Sequence, residues 1–168
     1  TNNMYEDIER MYTLFNREPS TLDYIRECML TLIKTLGTTI VNDPENRKQP
    51  KLFVQQILDL RIKFFQFIDN SFHQDRTFAK ILKDALEYAI NLDVRAAQYL
   101  SLYTDDMLKK RIKGITDQEI DTKLTNVISI FRYLHDKDVF EDVYKQHLST
   151  RLLSGTSVNN EVEKLMIA

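Results

Sequence analysis

Six reactive side chains lie within eight consecutive positions of the sequence, in the stretch "YKQHLSTR" that covers 144–151. Hydroxyls, an imidazole and cations are the groups that nucleophilic and general acid–base catalysis use. The residues concerned are Tyr144, Lys145, His147, Ser149, Thr150 and Arg151. Apolar residues recur three and four positions apart from Val139 to Leu153, which is typical of an amphipathic helix. The spacing therefore favours the polar side of a helix over a catalytic cluster.

The same helix carries signals for both of its ends. Asp138 can cap the first turn, and Glu141 follows three residues later, as in a capping box. Gly155 suits the helix end, because glycine readily adopts the left-handed conformation that is common there. We therefore expect the leucines of 137–155 to pack inside a helical bundle. His147 and the polar groups around it are expected to face solvent or a partner.

The histidines and the cysteine do not predict a metal site or a cofactor. His73, His135 and His147 share no short ligand spacing, and Cys28 has no second cysteine as a partner. The three glycines are isolated, so neither a phosphate-binding loop nor a nucleophile elbow is indicated. We predict no catalytic residue, no metal ligand and no cofactor. A helical enzyme whose polar groups converge from distant positions stays open.

The composition favours a helical protein. Three glycines and three prolines occur in 168 residues, whereas average proteins contain roughly 12% of the two together. The net charge of −2 argues against nucleic-acid binding through overall charge. No apolar run approaches the ~18 residues of a membrane span, so no membrane contact is predicted. Cys28 lies among apolar residues, which predicts a buried small side chain in a reducing compartment.

The periodicity along the chain predicts an all-α fold without strands. The predicted helices cover 4–15, 20–40, 50–68, 75–89, 97–114, 116–134 and 137–155, and a last one begins near 162. Their starts are marked by Ser20, Pro50, Asp75 and Thr116. Gly37, inside the second helix, predicts a close backbone contact. We expect a loop at 42–50, a domain boundary at 91–94, and a longer parent chain, because "EVEKLMIA" is still amphipathic.

The segment "LKKRIKG" (108–114) has the clearest charge pattern. On a helix, Lys109, Lys110 and Lys113 lie within about 100° of one another, because they are spaced i, i+1 and i+4. Cations ahead of a terminal glycine complement the helix dipole, and this is the simpler interpretation. An electropositive patch for an acidic partner is the alternative.

Several segments together resemble the cullin family. "KDVFEDVYKQHLSTRLL", followed by "SVNNEVEKLMI", resembles the signature in which Phe/Tyr-Lys precedes Leu-x-x-Arg-Leu-Leu and then a Glu-Lys-x-Met-Ile helix. "YLSLYTDDMLKKRIKGITDQEI", "ILDLRIKFFQFIDNSF" and "MYTLFNR" extend the resemblance over essentially the whole chain. The details are most similar to the cullin type that works with BTB-domain adaptors. Ser149 and Thr150 depart from the family, which usually has alanine and a basic residue there.

The resemblance implies a non-catalytic scaffold subunit of a multi-subunit RING-type ubiquitin ligase. Such a scaffold spaces the substrate adaptor from the RING subunit and the ubiquitin-conjugating enzyme. Residues 1–93 are then part of the last cullin repeat of the amino-terminal arm. Residues 94–168 are the first part of the four-helix bundle of the carboxy-terminal, cullin-homology domain. The implied partners are a RING subunit, BTB-domain adaptors, an acidic-tailed ubiquitin-conjugating enzyme and cullin regulators, in the cytoplasm and nucleus.

The resemblance also changes the interpretation of the lysines. Lys109, Lys110 and Lys113 match the Lys-Lys-x-x-Lys part of a basic patch that attracts the acidic tail of certain ubiquitin-conjugating enzymes, so a partner contact is now favoured. The scarcity of glycine and proline suits a rigid core that continues across the boundary at 91–94. A helical interaction module unrelated to ubiquitin transfer is the alternative, because it would show the same periodicities.

Overall fold

The computed structural model describes residues 2–109, 117–157 and 163–164, and in these residues the all-α prediction is confirmed. The helices are α1 (Asn2–Phe15), α2 (Pro19–Asn42), α3 (Pro44–Lys48), α4 (Pro50–Ser71), α5 (Arg76–Ile90), α6 (Ala96–Leu108), α7 (Asp117–Phe131) and α8 (Lys137–Ser154). None of the described helices is both long and apolar enough to cross a membrane. The cap predicted at Thr116 lies outside the described residues, and of the helix predicted near 162 only 163–164 are described, in helical conformation.

The first of two compact units comprises Thr1–Asp43 and Gln55–Leu92. Its core is aromatic: the rings of Phe72 and Phe78 stack at 4.3 Å, and Tyr12 meets both rings edge-on. Helices α2 and α5 pack closely, because a Cβ atom on Gly37 would lie only 2.5 Å from that of Ala89. The close backbone contact predicted from Gly37 is therefore confirmed.

The second unit comprises Pro44–Val54 and Asp93–Ala168. Within it, α6 packs against α7 and α8, and the ring of Phe140 contacts that of Phe131 at 5.0 Å. Phe53, near the start of α4, contributes a ring 5.4 Å from that of Tyr99. One division between the units falls after Leu92, inside the predicted boundary segment. The assignment of 1–93 to a cullin repeat and of 94–168 to a four-helix bundle stays a prediction.

The helix ends agree with the sequence at some positions and not at others. The Asp75 side chain caps α5 by accepting a hydrogen bond from the Thr77 N–H at 2.7 Å. Gly155 ends α8 in the left-handed conformation, with φ at 62°. The caps predicted at Ser20 and Asp138 are wrong, because proline follows Glu18 and starts α2 one residue earlier, and α8 begins already at Lys137.

Two further predictions fail for reasons of packing. The segment 42–50, predicted as a loop, contains the short helix α3. Its residue Asn46 is fully buried, so tertiary contacts order a stretch that looks like a linker. Cys28, predicted as buried, is exposed. Its neighbour Met29 takes the buried position on α2, because adjacent residues of a helix point about 100° apart.

Candidate functional site

The three predicted lysines lie at and beyond the end of α6. The helix ends at Leu108, and Lys109 already has the extended conformation, with φ at −84° and ψ at 135°. The prediction that this helix continues to Gly114 is therefore wrong, and with it the helical spacing that placed Lys109 on one face with the other lysines. Lys110 and Lys113 lie outside the described residues.

Lys109 is held through its backbone and its side chain. Its backbone pairs with that of Ser157 in a single antiparallel bridge, which explains why the helix does not continue. Its ammonium group donates a hydrogen bond to Asp105, one helical turn earlier. The Lys109 side chain remains 40% exposed, whereas that of Asp105 is 6% exposed. The lysine thus joins a buried carboxylate to the surface.

A fully buried arginine lies on the other side of that carboxylate. Arg151 of α8 is 0% exposed and donates from Nη1 to Asp105 Oδ1 at 2.7 Å. Its Nε and Nη2 donate to the two oxygens of Glu163, each at 2.8 Å. Bidentate binding of a carboxylate uses the planar shape of the guanidinium group and is among the stronger polar contacts in proteins.

Burial and hydrogen bonding act in opposite directions on the two carboxylates. Burial opposes ionisation of Asp105, but hydrogen bonds from Lys109 and Arg151 outweigh it and hold the pKa of Asp105 below its ordinary value. Burial likewise opposes ionisation of Glu163, and hydrogen bonds from Arg151, Ser157 and Tyr144 lower its pKa overall. Both groups are therefore carboxylates at neutral pH.

Tyr144 completes the buried cluster. Its hydroxyl donates to Glu163 at 2.9 Å, and its ring lies 5.4 Å from the guanidinium carbon of Arg151. Burial, followed by the negative charge of Glu163, raises the pKa of Tyr144. The hydroxyl therefore keeps its proton and acts as a hydrogen-bond donor. We call Asp105, Lys109, Tyr144, Arg151, Ser157 and Glu163 the Arg151 cluster.

The buried face of α8 differs from the one expected. Its buried residues are Phe140, Tyr144 and Arg151, whereas Leu152 is 53% exposed and Leu153 is 90% exposed. The prediction that these leucines pack inside a bundle is therefore wrong for the described chain. The sequence did contain a signal, because Arg151 follows Tyr144 by seven residues and so returns to the same face of the helix.

His147 occupies the edge of the Arg151 cluster. Its side chain is 27% exposed, and Nδ1 lies 3.7 Å from Oδ2 of Asp105. The sequence assigned His147 to the polar side of α8, and the side chain is indeed partly exposed, but it also faces a buried carboxylate. Among the described residues, no group of three or more His, Cys, Asp or Glu side chains is placed to hold a metal ion.

A smaller polar site lies in the first unit. The Tyr12 hydroxyl donates to Asp75 at 3.0 Å, and Nη2 of Arg26 lies 3.8 Å from the same carboxylate oxygen. Burial opposes ionisation of Asp75, but hydrogen bonds from Thr77 and Tyr12 lower its pKa overall. This site ties α1 to the start of α5 and has the features of a structural contact.

The comparisons with known proteins agree along the whole chain. The family model described as "Cullin alpha solenoid domain" matches residues 1–168, and the chain belongs to the cullin family. It is 45% identical over 166 residues to Cullin-3A of Arabidopsis thaliana, covering 99% of this chain and 23% of that protein. It is 39% identical over 163 residues to Cullin-3 of Dictyostelium discoideum, covering 97% of this chain and 21% of that protein.

A third relative extends the comparison to animals. Cullin-3 of Caenorhabditis elegans is 34% identical over 170 residues, covering 97% of this chain and 22% of that protein. The chain thus spans between a fifth and a quarter of the length of these relatives. The family resemblance predicted from the sequence is confirmed.

Proposed function

We propose that this chain is a segment of the scaffold of a multi-subunit RING-type ubiquitin ligase, in which it helps to set the distance between the substrate adaptor and the ubiquitin-conjugating enzyme. The observation that carries the proposal is the family match over all 168 residues, with 34–45% identity to Cullin-3 relatives across nearly the whole chain. Its partners in the parent protein are a RING subunit, BTB-domain adaptors and cullin regulators.

The packing inside each unit supports a mechanical role. Helices α2 and α5 are in close contact at Gly37, and close-packed helices resist deformation. The buried ion pair between Arg151 and Asp105 joins α8 to α6 in the second unit. A part that keeps a fixed distance between two partners requires such stiffness.

Assembly of the full-length parent tests the scaffold role. We expect it to co-purify with a RING subunit and a BTB-domain adaptor, and the assembled complex to transfer ubiquitin. Cys28→Ala should leave this transfer unchanged, because the chain supplies no thioester-forming cysteine. Loss of transfer in a folded Cys28→Ala protein, or failure to assemble with either partner, would contradict the proposal.

The lysines at 109, 110 and 113 are the proposed contact for the acidic tail of the ubiquitin-conjugating enzyme. Exposed cations steer an acidic segment toward the surface and raise its association rate, and added salt screens this attraction. Neutralising all three by Lys→Gln in the assembled ligase should slow association by roughly tenfold at low salt. Stopped-flow measurements at two ionic strengths check this.

Charge reversal at Lys109 would be a less clean test. A glutamate at this position would place a second negative charge beside the buried Asp105, and buried like charges destabilise the fold. The glutamine variants avoid that effect. An association rate that does not change in the triple variant would return these lysines to a structural role at the end of α6.

A further inference from the structure

Arg151 reaches Lys109 by two separate routes. In the first, Asp105 accepts from Arg151 Nη1 at 2.7 Å on Oδ1 and from the Lys109 ammonium group on Oδ2. In the second, Glu163 Oε1 accepts from Arg151 Nε and from the Ser157 hydroxyl, both at 2.8 Å. The backbone of Ser157 then pairs with that of Lys109. The two routes close a ring of contacts that fixes both the backbone and the side chain of the lysine.

We propose that Asp105, held in place by Arg151, is a positioning residue that presents the ammonium group of Lys109 to an acidic peptide of a partner. This inference rests on the lysine contact proposed above and assigns a role to two buried residues beneath it. An ammonium group has three N–H donors, so the bond to Asp105 leaves donors for a carboxylate of the peptide. The peptide can reach the lysine, which is 40% exposed, but not the aspartate, which is 6% exposed.

Positioning reduces the conformational entropy that the Lys109 side chain loses when the peptide binds. A free lysine side chain has many rotamers, and fixing it in a contact opposes association. Lys109 is already ordered by Asp105 before the peptide arrives. The negative charge of Asp105 opposes binding of an acidic peptide, and the guanidinium group of Arg151 offsets that charge in part, because it pairs with both Asp105 and Glu163. A lysine that is already ordered has less conformational entropy left to lose when the peptide binds.

Positioning and simple electrostatics predict opposite results for Asp105→Asn. This substitution removes a negative charge beside the lysine, so electrostatics alone would strengthen the attraction and slow dissociation of the peptide. Loss of positioning instead releases the Lys109 side chain and speeds dissociation. We expect dissociation to become about two- to fivefold faster, the range that one exposed ion pair contributes.

The experiment uses the full-length parent assembled with its RING subunit and a fluorescein-labelled aspartate decapeptide as the probe. Stopped-flow displacement gives the dissociation rate for wild type, Asp105→Asn, Lys109→Gln and the double variant. Asp106→Asn is the matched control, because its side chain is 51% exposed and pairs with Lys51 at 2.8 Å. It removes the same charge one residue away, so its dissociation rate should stay the same or decrease.

A double-mutant cycle separates positioning from general loosening of the fold. If Asp105 acts through Lys109, Asp105→Asn has no further effect in the Lys109→Gln background. Ser157→Ala interrupts only the route through Glu163 and changes no charge, so it serves if Asp105→Asn does not fold. It should speed dissociation in the same direction.

The outcomes distinguish the two proposals. Slower or unchanged dissociation for Asp105→Asn, or an equal effect with and without Lys109, overturns the positioning role and leaves the lysine contact intact. If wild type shows no salt-dependent binding of the decapeptide, the lysine contact itself fails, and the positioning role fails with it.

Discussion

At the scale of single residues, Arg151 depends on its two carboxylate partners. A guanidinium group removed from water loses a large hydration energy, which only well-placed hydrogen bonds and opposite charges replace. Glu163 accepts a bidentate pair of hydrogen bonds from Arg151, and Asp105 accepts a third hydrogen bond. Arg151, Asp105 and Glu163 therefore stabilise the fold only together, because removal of any one of them leaves a buried charge without one of its partners.

Replacing Arg151 by methionine should lower the free energy of unfolding by about 3–5 kcal/mol, because Asp105 and Glu163 would lose their buried partner. Urea unfolding of the variant and of wild type measures the difference. Lys145→Met is the control, since it removes a cation from an exposed pair with Glu141 on the same helix and should have little effect. Equal stability of the two variants would mean that the Arg151 cluster does not hold the fold together.

The same cluster predicts an acid-sensitive fold. The pKa values of Asp105 and Glu163 in the folded protein lie below their ordinary values of 3.8 and 4.5. The unfolded chain then binds more protons than the folded one, so stability is complete above the ordinary values and decreases as pH falls through the lowered ones. Thermal unfolding between neutral pH and pH ~3 should show this decrease.

Asp105→Asn removes one of the carboxylates whose lowered pKa makes stability decrease in acid. This variant should be less stable than wild type at neutral pH, and its stability should depend less on pH in the acid range. A pH profile parallel to that of wild type would show that Asp105 does not contribute to acid sensitivity.

At the scale of helices, Gly37 allows α2 and α5 to approach each other. Glycine in a helix is unfavourable by about 1 kcal/mol relative to alanine, so its presence in the middle of α2 requires a reason. The reason is the missing Cβ atom, which would lie 2.5 Å from that of Ala89. Loss of helix propensity is thus balanced by closer packing of two helices.

Gly37→Ala should lower stability, because the overlap with Ala89 costs about 1–3 kcal/mol and exceeds the gain of about 1 kcal/mol in helix propensity. The double variant Gly37→Ala/Ala89→Gly moves the methyl group to the other helix and should recover part of the loss. Urea unfolding of both variants and of Ala89→Gly alone checks this. A more stable Gly37→Ala protein would mean that the two helices separate freely.

The helices were largely predictable from the sequence, because each carries an apolar stripe over several turns. The positions at which the helices end were less predictable, because residues that are distant in sequence influence them. Lys109 leaves the helix because its backbone pairs with Ser157, which is far away in sequence. Asn46 is buried in the short helix α3. The surrounding sequence "NDPENRKQP" predicts a loop instead of a helix.

The Arg151 cluster was missed for the same reason. Its charges come together across 46 positions between Asp105 and Arg151 and across 12 between Arg151 and Glu163. Apolar periodicity treats arginine as a polar residue and assigns it to the solvent side. Only the partners, which the fold supplies, make burial of Arg151 favourable.

At the scale of the whole molecule, the units do not follow the order of the sequence. The segment Pro44–Val54 belongs to the second unit, although residues on both sides of it belong to the first. Inside that unit, Lys51 pairs with Asp106 at 2.8 Å. The predicted boundary at 91–94 therefore marks only one of the places at which the chain passes between units. Whether both units melt as one rigid core stays a prediction.

Cutting the chain near Asp93 should damage the second unit, because it separates 44–54 from the remainder of that unit. The piece 94–168 loses Phe53, which is 3% exposed and contacts the ring of Tyr99 at 5.4 Å. Burial of a phenylalanine of this kind contributes about 3–5 kcal/mol, a large part of the stability of a small domain.

The bare piece should therefore melt at a lower temperature than the same piece with 44–54 attached through a flexible Gly-Ser linker. In the linked piece, Phe53→Ala should abolish this gain in melting temperature, whereas Leu52→Ala, which truncates a neighbour that is 37% exposed, should keep most of it. Equal melting temperatures for the bare and linked pieces would show that 44–54 adds nothing to the second unit.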